Sequence, residues 1–357
     1  MNSSHDVATG MKRQGGKWTK AWLAVILFSM AHAMAQIAQP MKLIQTIELP
    51  EGPTFPFAGD LAVDIKGNRL FAATQGTKSV TVVDLQRGAI IHTFPVEYAH
   101  TVMYMGDLDQ LYVTDQGTAE PGLKIFDARD YHLIKIVKLL ARADAAEYDP
   151  QSKYFYVDNG GAAAKLDYSL LTIVDTTKSD VVGEIKIPSK TLEQLVLEHS
   201  GPRIYVNLED KDEVALLDRS RRTFLEAWPI TQGKRNTAIA LDEKHHRLFV
   251  ACRTGDLHGD VAVFDTQTGK QINALPIGGH VDDLDFDPAS GRLYASCGSG
   301  EIDVYQQRDA DHYNLLAKTE TGIMARSGLL VPELHKYFSS VPHIGTQSAK
   351  ILVFQIQ

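Results

Sequence analysis

The chain has 357 residues, 44% of them hydrophobic and 22% charged, longer than the usual single domain. Its 44 acidic and 36 basic side chains give a formal charge of −8. That balance opposes non-specific nucleic-acid binding, which needs clustered Lys and Arg to displace counterions. With no C-x-x-C-H motif and no Cys/His cluster, covalent haem attachment is excluded and cysteine-based metal binding or catalysis has little support.

In chain order, the first 35 residues differ in composition from the rest. Lys12, Arg13, Lys17 and Lys20 precede an apolar run from Ala21 to Met30, followed by Ala31-His32-Ala33 and Ala33-Met34-Ala35. A basic start, a short apolar core and an A-x-A site predict a secretory signal peptide over 1–35, cleaved after Ala35 or, alternatively, Ala33. An uncleaved anchor is the competing reading, but a spanning helix wants about 20 apolar residues and this run has about half that. The expected location is periplasmic or secreted. Loss of four basic residues and one acidic residue leaves 32 against 43, a formal charge of −11.

From Met41 onward the chain is predicted to be all-β. Seven copies of one phrase, a basic or polar residue followed by large apolar ones, begin at Arg69, Gln110, Tyr154, Arg203, Arg247, Arg292 and Tyr337. Subtraction of these numbers gives spacings of 41 to 49 residues. A β-rich period of that length marks a propeller, each repeat being one four-stranded blade. Before each phrase stands a short apolar strand such as Leu61-Ala62-Val63, then a turn rich in Gly, Asn and Asp. After it comes a third strand closing on Asp or Gln, as in Val82-Val83-Asp84, and a fourth such as His92-Thr93-Phe94-Pro95-Val96.

The last repeat ends after Phe354-Gln355, short of a fourth strand, and a matching segment lies at the other end, Leu43 to Pro50. The expected fold is therefore a seven-bladed β-propeller over 41–357, closed by the N-terminal strand completing the last blade, which removes two sheet edges. Cys252 and Cys297 hold equivalent positions on neighbouring blades. Two buried thiols are expected rather than a bridge, because equivalent strands stand too far apart.

The loop between second and third strands and the link from fourth to first share one face, which carries the longer insertions 116–122, 159–169, 253–260 and 342–350. On that face, polar residues precede every first strand: Asp60, His100-Thr101, Asp144, Glu193-Gln194, Asn236-Thr237, His280 with Asp282-Asp283, and Arg326. The repeat itself does not require them, so this ring is the candidate ligand-binding site. Two chemistries are open. The ring is either a wet polar funnel without a fixed ligand or a divalent-metal site. A mixed N/O set that includes His280 suits Zn or Mn, and the all-oxygen subset Asp60, Asp144, Asn236 and Asp283 suits Ca. His258 and His343 are read as solvent histidines, and Arg219, Arg221 and Arg222 as a solvated turn.

The phrases Gln110-Leu111-Tyr112-Val113-Thr114, Tyr154-Phe155-Tyr156-Val157-Asp158 and Arg203-Ile204-Tyr205-Val206-Asn207 resemble the YVTN, or YncE-like, repeats of bacterial seven-bladed β-propellers. The resemblance covers the whole chain after the leader. It implies an exported scaffold binding a small molecule, a glycan or a partner protein through the loop-rich face and channel mouth. Related propellers include phosphogluconolactonase-type lactonases and subunits of quinone-linked dehydrogenases. No motif carries either activity over, and only Trp228 remains beyond the leader, so a tryptophan-ring quinone site is missing. The alternative function is a lactonase-type hydrolase, with or without a divalent metal, in which a carboxylate or histidine of the ring serves as base and Arg326 or the metal polarises a carbonyl.

Overall fold

In the computed structural model, residues 39–117 and 120–357 are described; the leader of the sequence reading lies outside them. Seven four-stranded antiparallel sheets follow one another around a central channel. Blades one to six run 61–95, 99–138, 146–187, 192–229, 236–278 and 281–320. Blade seven combines Ser327–Val331, Lys336–Val341 and Lys350–Ile356 with the N-terminal strand Met41–Glu48.

The repeated phrase is the second strand of each blade, and it is buried on both faces because each sheet is sandwiched between two others. Phe71, Tyr112, Phe155, Tyr205, Phe249, Tyr294 and Phe338, one from each copy, are almost wholly inaccessible. Fourth strands form the outer wall and keep apolar side chains in solvent, among them Ile91, Leu133 and Leu225.

Closure follows the predicted pattern, with register running from Met41 opposite Ile356 to Glu48 opposite Lys350. In blades one to six the pairing of third and fourth strands slips once, toward the C-terminal end of the third strand. The N-terminal strand slips in the same way between Leu43 and Gln45. Such bulges raise the local twist of an outer strand. Sharing one identifies the N-terminal strand as a true fourth strand.

The basic residue that opens the phrase is a clamp between blades. Arg69 Nη1 donates to Ala128 O, Arg203 Nη1 donates to Thr266 O at 2.6 Å, and Arg292 Nη1 donates to Gln357 O. Each acceptor is the first residue after the third strand of the next blade. Tyr112 Oη donates to the equivalent Thr176 O at 3.4 Å. Blade three opens its phrase with Tyr154, and there the cation comes from the next blade: the Arg222 guanidinium lies 5.7 Å from the Tyr154 ring centroid. Arg219 Nη1 stands 3.2 Å from Asp149 Oδ2 of that same blade. The expectation of a wholly solvated turn is thus corrected, since Arg219 and Arg222 are anchors and only Arg221 stays in solvent. Arg203→Met, which keeps the aliphatic stem and deletes the clamp, is expected to cost about 1–2 kcal/mol in urea unfolding. An unchanged midpoint would show that the contact carries no stability.

Cys252 and Cys297 are both buried and unbridged, as expected, and burial raises both thiols above the usual range. Their packing is structural: Cys252 sits in the core between blades four and five, Cys297 in that between blades five and six.

A charged recess at the channel mouth

Much of the predicted ring lies in backbone irregularities. First strands begin with a register slip between Ala99 and Val102, Leu192 and Leu195, Asn236 and Ile239, and Val281 and Asp283. His100, Glu193 and Asp282 stand inside those slips. A bulge re-aims a side chain that regular pairing would send into the sheet, and here the side chains line a recess of about 580 Å3. Asp144 and Arg326 reach it from just before their strands.

The sequence reading missed Arg142, two residues before Asp144, and Arg253, directly after a second strand. Both complete the electrostatics. His100 Nδ1 lies 2.9 Å from Asp144 Oδ1, and Arg142 Nη2 lies 2.9 Å from Asp144 Oδ2 and 2.6 Å from Glu193 Oε1. Arg253 pairs with Asp282 Oδ1, and Arg326 Nε stands 2.9 Å from Asp282 Oδ2. Backbone carbonyls fix two of the arginines, Leu192 O accepting from Arg142 Nη1 at 2.6 Å and Val281 O from Arg253 Nε at 2.9 Å. Arg142 takes a left-handed backbone at φ 60°, uncommon for a residue with a side chain.

Burial alone would push the His100 imidazole down. Asp144, with Asp60 and Asp282 beyond it, instead raises it to about 10, so it is a cation at neutral pH. Burial likewise disfavours ionised Asp144, but His100 and Arg142 hold its carboxyl well below the usual range. Burial, then Asp144, lifts Glu193 to about 7 against the pull of Arg142.

Beneath the recess is a floor. Thr101 Oγ1 donates to Asp60 Oδ2 at 2.7 Å, Gly328 N donates to Asp283 Oδ2 at 2.8 Å, and Gln194 Nε2 donates to Asp283 Oδ1 and, at 3.0 Å, to Asp282 O. Gln194 thereby links blade four to blade six. Burial raises the Asp60 carboxyl, and burial with Asp60 and Asp282 raises Asp283 far more. Under this floor a channel cavity of about 1090 Å3 contains Glu147, lifted by burial to about 7.

Two ring members stand apart. Asn236 is fully buried, its amide donating to Asn207 Oδ1 at 2.8 Å and to Glu213 O at 2.9 Å. His280 sits in a left-handed turn at φ 55° against Gly298 and does not line the recess. The glycines before it serve close approach: a Cβ on Gly279 would stand 2.2 Å from Asp256 O. His343 is not a solvent histidine, since its Nδ1 lies 2.8 Å from Gly52 O. Among the described residues, the one tight His/carboxylate triple is Asp127, Asp130 and His132, away from the channel. There Asp127 serves Arg129 and its own turn.

No family model matches the sequence, and no curated protein does. Solved structures do. A chain of the Kuenenia stuttgartiensis hydrazine synthase structure aligns with TM-score 0.69 at 16% identity, over 82% of this chain and 94% of that one. The structure of U3-55K aligns with TM-score 0.71 at 10% identity, over 89% and 99%. At these identities the likeness shows the fold alone, the β-propeller. Among the described residues no helix is long and apolar enough to cross a membrane.

Proposed function

We propose that the chain is an exported binding scaffold of the YVTN type whose working surface is the recess at the channel mouth. The observation that carries this reading is the convergence of Arg142, Arg253, Arg326 and His100 on one concave site, on elements the propeller does not need for closure. Bulged strand ends and buried ion pairs hold these groups in fixed orientation, which lowers the ordering cost of binding. The leader reading places the scaffold in the periplasm or outside the cell. A divalent ion remains part of the proposal only through Asp60, Asp144 and Asp283, because Asn236 and His280 are turned to other work.

The hydrolase reading has one specific support, a carboxyl at Glu193 that titrates near neutrality beside guanidinium groups able to polarise a carbonyl. Asp144 beside it raises the His100 imidazole, which disfavours His100 as a base near neutral pH.

The test is a thermal-shift screen of the purified protein against neutral, cationic and anionic small molecules and divalent ions, repeated on Arg253→Gln. At least one compound should raise the midpoint in the native protein and lose its effect in the variant. Shifts identical in both proteins would move the working surface elsewhere. Turnover of a lactone panel that disappears in Glu193→Gln would establish the hydrolase instead.

A further inference from the structure

We infer that the recess is built for a small ligand carrying an oxyanion, a carboxylate or a phosphate, gripped by the Arg326 guanidinium with Arg253 and His100 beside it. This rests on the mouth being the working surface. Three observations converge on it. The first is charge: the side chains lining the recess include four cations, Arg142, Arg253, Arg326 and His100, against three carboxylates, Asp144, Glu193 and Asp282. Positive charge in a partly desolvated cleft attracts anions.

The second is hydrogen bonding. Asp144 lies between His100 and Arg142, and Asp282 between Arg253 and Arg326. Arg326 approaches Asp282 through Nε alone, and its two Nη groups donate no hydrogen bond to any described residue. A guanidinium that is 13% exposed with both terminal nitrogens uncommitted is a fork without its acceptor.

The third is orientation. Arg326 Cζ stands 4.6 Å from the centre of the Phe57 ring, so an aromatic face shields one side of the fork and fixes its plane. Tyr98 and Gln116 complete the wall with neutral polar groups suited to the rest of a small polar molecule. The recess is concave and lined by twelve residues, room for a small molecule but not for a folded partner to enter.

Titration calorimetry at constant ionic strength in chloride would compare inorganic phosphate, sodium gluconate and neutral glucose. Saturable heat is expected for phosphate, gluconate or both, and none for glucose; which of the two anions binds more tightly separates phosphate from carboxylate chemistry. Arg326→Gln should weaken that binding at least tenfold, and Arg326→Lys, which keeps charge without the fork, should fall between. Because Asp282 retains Arg253, these variants should keep the native circular dichroism spectrum. If Arg326→Gln does not fold, the lysine variant carries the comparison. Anion binding of equal affinity in native protein and variants overturns the inference, as does the absence of anion heat. If anions fail while a neutral ligand binds and is lost in Arg253→Gln, the oxyanion inference falls and the mouth reading survives. If no probe responds to a mouth substitution, both fall.

Discussion

A chain beginning at Pro50, without the N-terminal strand, is expected to lose cooperative folding and to elute as oligomers or aggregate. Met41, Ile47 and Leu49 are each at least nine-tenths buried. At about 1.5–3 kcal/mol for each fully buried side chain, their loss removes roughly 5–9 kcal/mol. A domain's whole stability is about 5–15 kcal/mol. The truncation also strips Lys350–Ile356 of its partner and leaves a long unpaired edge, which templates association. Size-exclusion chromatography and urea unfolding read both effects. A monodisperse monomer with the native midpoint would show that the seventh blade stands with three strands. Ile47→Asp should reproduce much of the loss while keeping the strand's backbone, because it places an unpaired carboxylate in the core.

The second large effect is expected from Asp144→Ala, which removes the shared partner of His100 and Arg142. Breaking a buried ion pair from one side typically costs about 3–5 kcal/mol, because the other charge stays buried. The pH profile separates this from simple cavity formation. His100 is raised from 6.5 to about 10, so the folded state holds its proton more tightly. Its contribution is complete below about pH 6.5 and is lost as pH rises through the folded value. Asp144 is lowered, so its contribution is complete above about pH 4 and is lost as pH falls. Native stability should therefore decline between pH 7 and 10 on account of His100, and Asp144→Ala should lack that part of the decline. Ring-proton chemical shifts of His100 should titrate at lower pH in the variant. A parallel decline in both proteins would assign the alkaline loss to other groups.

The architecture was legible because strand burial in a propeller is a local property. Each phrase is apolar throughout since its sheet is covered on both sides, and seven copies fix the blade count. The clamps were not legible, because Arg203 and Thr266 meet only when neighbouring blades are packed. The site was half legible. His100, Glu193, Asp282, Asp144 and Arg326 were placed by their position before the first strands. Arg142 and Arg253 were missed because neither belongs to the repeated ring. Three carboxylates in one recess, Asp144 buried and Glu193 and Asp282 half-buried, do call for cations, and that need was the available signal. Asn236 failed in the other direction: its amide turns inward to Asn207 and Glu213, a choice made by strand register.

Because Arg69, Arg203 and Arg292 all reach forward to the successor blade, the ring has a sense of rotation, like a file of people each with a hand on the next shoulder. Coupling in such a ring runs between nearest neighbours, and one interface resembles another. Gln357 N donates to Pro40 O at 3.3 Å, so the two ends of the ring are already adjacent. A circular permutant joined there and reopened at an exposed turn, such as that between Asp84 and Ala89, would keep every clamp and every mouth contact. The seam is a matter of connectivity, while the direction of the clamps belongs to the blades themselves.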